Sequence, residues 1–174
     1  MKTEFTQAEV AKLPFAHHVL RKGIGTKKKI SINPEGDHWH ITDVQLGDVV
    51  GSQDLRYAGK TWLDLFPCTD EPYGLKRCFE RLKDLQRNPH YYFSEEDKRN
   101  YSFINIDGEL FIDDGHHRTV IGRVFLTANG FEPVMKNVFV AYYTGGLLHR
   151  IRIFPRRLKH RLINRFDIFN RLIG

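Results

Sequence analysis

Cysteine is scarce in this chain. Cys68 and Cys78 are the whole complement, too few for a disulfide framework or a zinc ligand set. Both read as reduced, part-buried thiols of the kind a cytosolic protein keeps. The opening residues Met1–Gln7 lack an apolar signal region, and no apolar run approaches the length of a membrane span, so we expect a soluble, cytoplasmic protein. Internal repeats and low-complexity tracts are missing too, which excludes solenoid and linker-like chains. Acidic residues are nearly missing from one region. From His149 to Gly174 there are eight Lys/Arg and one acid, Asp167, a balance of +7 within a total of +6, so the rest of the chain sums to about −1. Basicity therefore belongs to one segment. What is present is a globular composition: 41% hydrophobic and 13% aromatic over 174 residues, enough for one domain with a real core and incompatible with an intrinsically disordered chain.

Three regions follow from the patterning. Residues 1–40 read as an N-terminal extension with a short helix over Thr6–Leu13, where Thr6 and Glu9 have capping-box spacing and Pro14 ends the run. Residues 41–146 read as an α+β domain: a small mixed sheet of roughly four strands with helices. Its signals are a strand from His38 to Val44, a loop from Gly59 to Pro72 anchored by Trp62, Leu63, Leu65 and Phe66, and a last strand marked by Val134, Val138, Val140 and Tyr142 and closed by Gly145-Gly146. Leu75, Phe79, Leu82 and Leu85 recur at helical spacing, and that helix ends near Asn88-Pro89. Residues 90–102 read as a polar and aromatic loop. Residues 147–174 read as a basic amphipathic C-terminal helix, with Pro155 in its first turn and Leu158, Leu162, Phe166, Phe169 and Leu172 on one stripe.

The most informative run is Phe103–Phe125. Ile104 and Ile106, then Leu110 and Ile112, alternate around Asp107-Gly108, a strong hairpin signal. After Gly115 the period lengthens, with Val120, Ile121, Val124 and Phe125 at helical spacing. The polar cluster Asp113, Asp114, His116, His117, Arg118 and Thr119 thus sits where a strand hands over to a helix. Such a corner offers backbone N–H groups and a positive dipole end to an anion, and phosphate is its natural guest. Gly115 would let the backbone approach a ligand that a Cβ would obstruct. Arg118 can offer a planar fork to phosphate oxygens. Thr119 can cap or donate its hydroxyl, and His117 can bond a phosphate or exchange a proton near neutral pH. Asp113 and Asp114 are candidate Mg²⁺ ligands, although neighbours on a strand face opposite ways and Asp114 can equally start the turn. The plain alternative is a capped helix with a solvated polar end.

Gly115-His116-His117-Arg118 followed by helix resembles the signature box of the ParB/sulfiredoxin superfamily. In sulfiredoxins the box is Gly-Cys-His-Arg, so His117 and Arg118 match while His116 replaces the nucleophilic Cys; sulfinic acid reductase chemistry is therefore not expected. In ParB-type proteins the box is Gly-Glu-Arg-Arg with small residues a turn later, and Gly115, Arg118 and Gly122 match. Val44–Arg56 is similar to the family's opening strand and Arg-ending loop, so the resemblance also implies nucleotide contacts from Ser52 and Arg56, and from Lys76 and Arg77, whose plainer reading is a solvated basic face. The single-domain layout looks most like plasmid-borne Osa-type fertility-inhibition proteins. That resemblance implies binding and hydrolysis of ATP or another nucleoside triphosphate with Mg²⁺, DNA cleavage, and inhibition of conjugative or T-DNA transfer, with conjugation or type IV secretion components as partners. His117, Arg118 and Asp114 would carry the catalysis. The basic segment, through Arg156, Arg157, Lys159, Arg161 and Arg165, can meet DNA phosphates, lie on an anionic membrane surface, or pack on the domain with its charges in water. A non-enzymatic DNA-binding or secretion-machinery-binding module is the alternative to an enzyme.

Overall fold

The computed structural model describes residues 1–23, 39–66, 78–96, 98 and 100–143, all within one unit, Met1–Tyr143. Lys76, Arg77 and the basic positions Arg156, Arg157, Lys159, Arg161 and Arg165 lie outside the described residues.

The described residues form a six-stranded mixed sheet with four helices. The strands are β1 (Arg21–Lys22), β2 (Trp39–Gln45), β3 (Val49–Ser52), β4 (Ser102–Ile106), β5 (Glu109–Asp114) and β6 (Val134–Tyr143), in the order β1-β3-β5-β4-β6-β2. β1, β3 and β5 run parallel; β4 is antiparallel to β5 and parallel to β6, and β2 closes the order antiparallel to β6. Patterning alone gives roughly four strands, because β1 has two residues and β3 four, too short for an alternation to show; β3 lies within the Val44–Arg56 stretch that the resemblance reads as strand and loop. The Asp107-Gly108 hairpin forms as predicted. Both residues take positive φ, 52° and 87°, as a two-residue turn matched to strand twist requires, and the Gly108 N–H donates to Asn105 Oδ1 at 2.6 Å.

The helices are α1 (Gln7–Val10), α2 (Trp62–Leu65), α3 (Cys78–Arg87) and α4 (His116–Ala128). In α1 the Glu9 N–H donates to Thr6 Oγ1 and the Thr6 N–H donates to Glu9 Oε2, so the expected capping box is present. The Gly59–Pro72 stretch, expected as loop, contains α2, which opens on a second capping box between Thr61 and Asp64. Within 90–102, expected as loop, a 3₁₀ turn over Pro89–Tyr92 precedes the start of β4.

Helix α4 is the centre of the packing. His116, Thr119 to Leu126 are buried, so the helix is covered on nearly all sides rather than along one stripe. Tyr92 and Phe93 pack on Phe125, and the Arg123 guanidinium lies 4.2 Å from the ring centroids of both Phe15 and Trp62. Phe5, Val10, Phe15 and Leu20 join this core, so residues 1–23 are packed into the same body as the sheet. Ile104, Ile106, Phe111 and Ala141 form a second, smaller apolar cluster.

Candidate functional site

Because β3 and β5 are parallel neighbours, their C-terminal ends arrive at one edge of the sheet, where the start of antiparallel β4 also lies. Three segments meet there: the loop after β3 (Ser52–Tyr57), the turn from β5 into α4 (Asp113–Thr119), and the residues leading into β4 (Asn100–Ser102). The structure therefore brings Ser52 and Arg56 to the corner containing Gly115, His116, His117, Arg118 and Thr119, although more than fifty positions of chain separate the two segments.

Gly115 caps α4 with φ 84° and ψ 28°, in the left-handed region that glycine adopts without strain. The space where a Cβ would stand is occupied by the ring of Tyr101. The close approach that the sequence assigned to a ligand is thus made by a side chain of the protein. Tyr101 is buried, and burial pushes its hydroxyl well above the usual phenol range. Thr119 is buried as well, with its Oγ1 donating to the Gly115 carbonyl at 3.0 Å, so the hydroxyl is committed to the helix backbone.

His116 turns into the protein. Its Nε2 lies 2.7 Å from Ser52 Oγ, and its ring packs against Tyr57 at 4.7 Å between centroids. Burial lowers its pKa from 6.5 to about 4, against the opposing pull of Asp54 and Asp114, so the imidazole is neutral at physiological pH. Either tautomer completes the bond: Ser52 Oγ donates to a bare Nε2, or it accepts from Nε2–H and donates to the Asp54 carbonyl at 3.2 Å. The Asp54 N–H also donates to Ser52 Oγ at 2.9 Å, which ties the loop after β3 to the first residue of α4.

Arg118 points to the β4 side of the corner. It donates to the Tyr91 hydroxyl at 3.2 Å and to the Asn100 carbonyl, and its guanidinium lies 4.8 Å from the Tyr101 ring centroid. Arg56, on the β3 side, forks onto Asp54: Nε donates to Oδ1 and Oδ2 at 3.0 Å each, and a terminal nitrogen donates to Oδ2 at 2.5 Å. That pairing holds the Asp54 carboxyl below the usual carboxylate range. His117 is half-buried on the first turn of α4.

The two carboxylates proposed for a metal part company. Asp113 Oδ2 accepts from Ser102 Oγ at 2.9 Å, while the exposed Asp114 accepts the Gly115 N–H through Oδ1 at 2.6 Å. Asp114 alone stands at the mouth of α4, and among the described residues no three His, Cys, Asp or Glu gather as a metal set. One carboxylate is compatible with Mg²⁺ that takes its remaining ligands from phosphate and water.

Asp54, Tyr57, Tyr91 and Tyr101 complete the corner and were not singled out from sequence. Only Asp54 carried a readable signal, an acid two residues before an Arg in a loop. The tyrosines are identified by tertiary contact alone. Comparison with protein-family models, with curated proteins and with solved structures returns no match for this chain.

Proposed function

We propose that the α4 corner binds the phosphates of a nucleoside triphosphate and that the chain hydrolyses it. The observation that supports this most is the meeting of the Ser52–Arg56 loop with the Gly115-led start of α4 beyond the carboxyl ends of two parallel strands, the place where sheets of this kind take ligands. Arg56 and Arg118 flank that corner from either side, and the first-turn amides of α4 supply further donors. The ParB/sulfiredoxin resemblance of residues 115–118 favours a triphosphate over other anions. The reading assigns proton transfer to His117, on the first turn of α4, and to Asp114 the holding of a Mg²⁺ ion, which would neutralise phosphate charge when bound. His116 is not assigned a charge-binding role, because a buried neutral imidazole bonded to Ser52 offers no cation. Following the Osa-type resemblance, the proposal extends to DNA cleavage and to inhibition of conjugative or T-DNA transfer, with the basic 147–174 segment contacting DNA and with secretion components as partners.

The experiment is titration with ATP and with CTP in the presence of Mg²⁺, followed by co-crystallisation and by turnover measurements on wild type and Arg118→Ala. The expected result is nucleotide occupancy at Gly115–Thr119 and loss of turnover in the variant with DNA binding retained. An empty corner at millimolar nucleotide, together with no turnover in a clean preparation, rejects the reading.

A second reading is a non-enzymatic module that binds DNA or the secretion machinery. One observation favours it: Ser52, Arg56, Arg118 and Thr119 all have partners within the protein, so the corner is satisfied without a ligand. Under this reading Arg118→Ala leaves any measured turnover unchanged.

A further inference from the structure

We propose that Asp54 is a built-in competitor for the anion of the α4 corner: its carboxylate holds Arg56 in the ligand-free protein, and a phosphate group binds by taking the guanidinium over. This rests on the nucleotide reading above and adds to it a residue that sets affinity.

The two partners of the ion pair are held very unequally. Asp54 is anchored through its backbone, with its N–H on Ser52 Oγ at 2.9 Å and its carbonyl accepting from the Tyr57 and Ala58 N–H groups at 3.1 and 3.2 Å. Its side chain is 23% exposed, whereas that of Arg56 is 77% exposed. The guanidinium also lies 5.3 Å from the ring centroid of Tyr57, and the same ring packs against His116. Arg56, Tyr57 and His116 are thus layered, which brings the guanidinium within one ring of the first residue of α4. Both Asp54 and Arg56 act electrostatically on His116, so both charges reach the corner.

The Asp54 carboxylate occupies the Nε–Nη2 edge of the Arg56 guanidinium with both of its oxygens, the two-pronged arrangement a phosphate would adopt on the same edge. Exposed ion pairs of this kind contribute little to stability and exchange readily. A polyphosphate carries more charge and more acceptor oxygens than one carboxylate, so it can displace Asp54 while Asp54 lowers the apparent affinity. Neutralising Asp54 acts twice in the same direction: it releases the guanidinium and removes a negative charge from beside the incoming anion.

The test is calorimetric titration of ATP with Mg²⁺ into wild type, Asp54→Asn, Arg56→Ala and the double variant, with the thermal midpoint recorded for each. Asp54→Asn should tighten binding by about tenfold, because the competent fraction of Arg56 rises. Arg56→Ala should weaken wild-type binding by no more than about threefold, yet abolish most of the gain in the Asp54→Asn background. Should Asp54→Asn lower the thermal midpoint, Asp54→Ser is read by the same criteria. Wild-type binding that Asp54→Asn and Asp54→Ser leave unchanged or weaken overturns the inference while the nucleotide reading stands. So does a gain that persists in full without Arg56. Failure of every form to bind ATP at millimolar concentration overturns both.

Discussion

At the scale of the residue, two glycines of α4 are fixed by what they touch. Gly115 needs a left-handed backbone and meets the Tyr101 ring on its bare side. Gly115→Ala should therefore cost about 2–4 kcal/mol, from left-handed strain plus overpacking, and chemical denaturation measures it. Gly122 has ordinary helical geometry, but a Cβ there would stand 2.5 Å from Tyr92 Cε1, so the small residue about two turns on is required by an aromatic neighbour. His116 carries a pH prediction. Its folded pKa of about 4 lies below the ordinary 6.5, so between those values the unfolded chain binds more protons than the folded one. Stability from this group is unchanged above pH 6.5 and falls as pH drops from 6.5 toward 4. His116→Gln, which keeps a partner for Ser52, should flatten that part of the curve in unfolding midpoints taken from pH 7 to 4.5.

At the scale of the element, α4 combines a polar start with an almost fully buried body, and Arg123 is the exception within it. Burial pushes its guanidinium down to about 9 despite the opposing charge of Asp48, and its Nε is buried without a hydrogen-bond partner among the described residues. The side chain stays because its flat head fills the space between Phe15 and Trp62. Arg123→Met should leave stability within about 1 kcal/mol of wild type, since it removes a buried charge whose Nε has no hydrogen-bond partner among the described residues and keeps most of the volume. Arg123→Ala should cost about 3 kcal/mol by opening a cavity between the two rings. Thermal unfolding of the pair separates packing from charge. The hairpin and α4 were legible in advance because each has its own signal: Asp-Gly between alternating apolar residues, and a change of period after Gly115. By contrast α2 was masked by its single turn, although the Thr61–Asp64 cap was written in the sequence.

At the scale of the whole molecule, the nucleotide proposal depends on a convergence that local patterns do not encode. Salt titration of DNA binding, with and without residues 147–174, tests the separate role of the basic segment. Affinity carried by it should fall steeply with salt and vanish on its removal, as counterion release requires. Sequence alone determined the elements whose information is local: the capping box at Thr6, the Asp107-Gly108 turn, the alternating run of β6 and the glycine-led start of α4, each fixed by residues within a few positions of one another. Tertiary structure decided what these elements meet. It packed Phe5, Val10, Phe15 and Leu20 into the core, seated Tyr101 against Gly115 and joined Ser52 to His116. The reason is physical: a parallel neighbour such as β3 is paired to β5 across a long crossover, so the register that places Ser52 beside the α4 corner comes from sheet hydrogen bonds and packing, and no spacing along the chain records it.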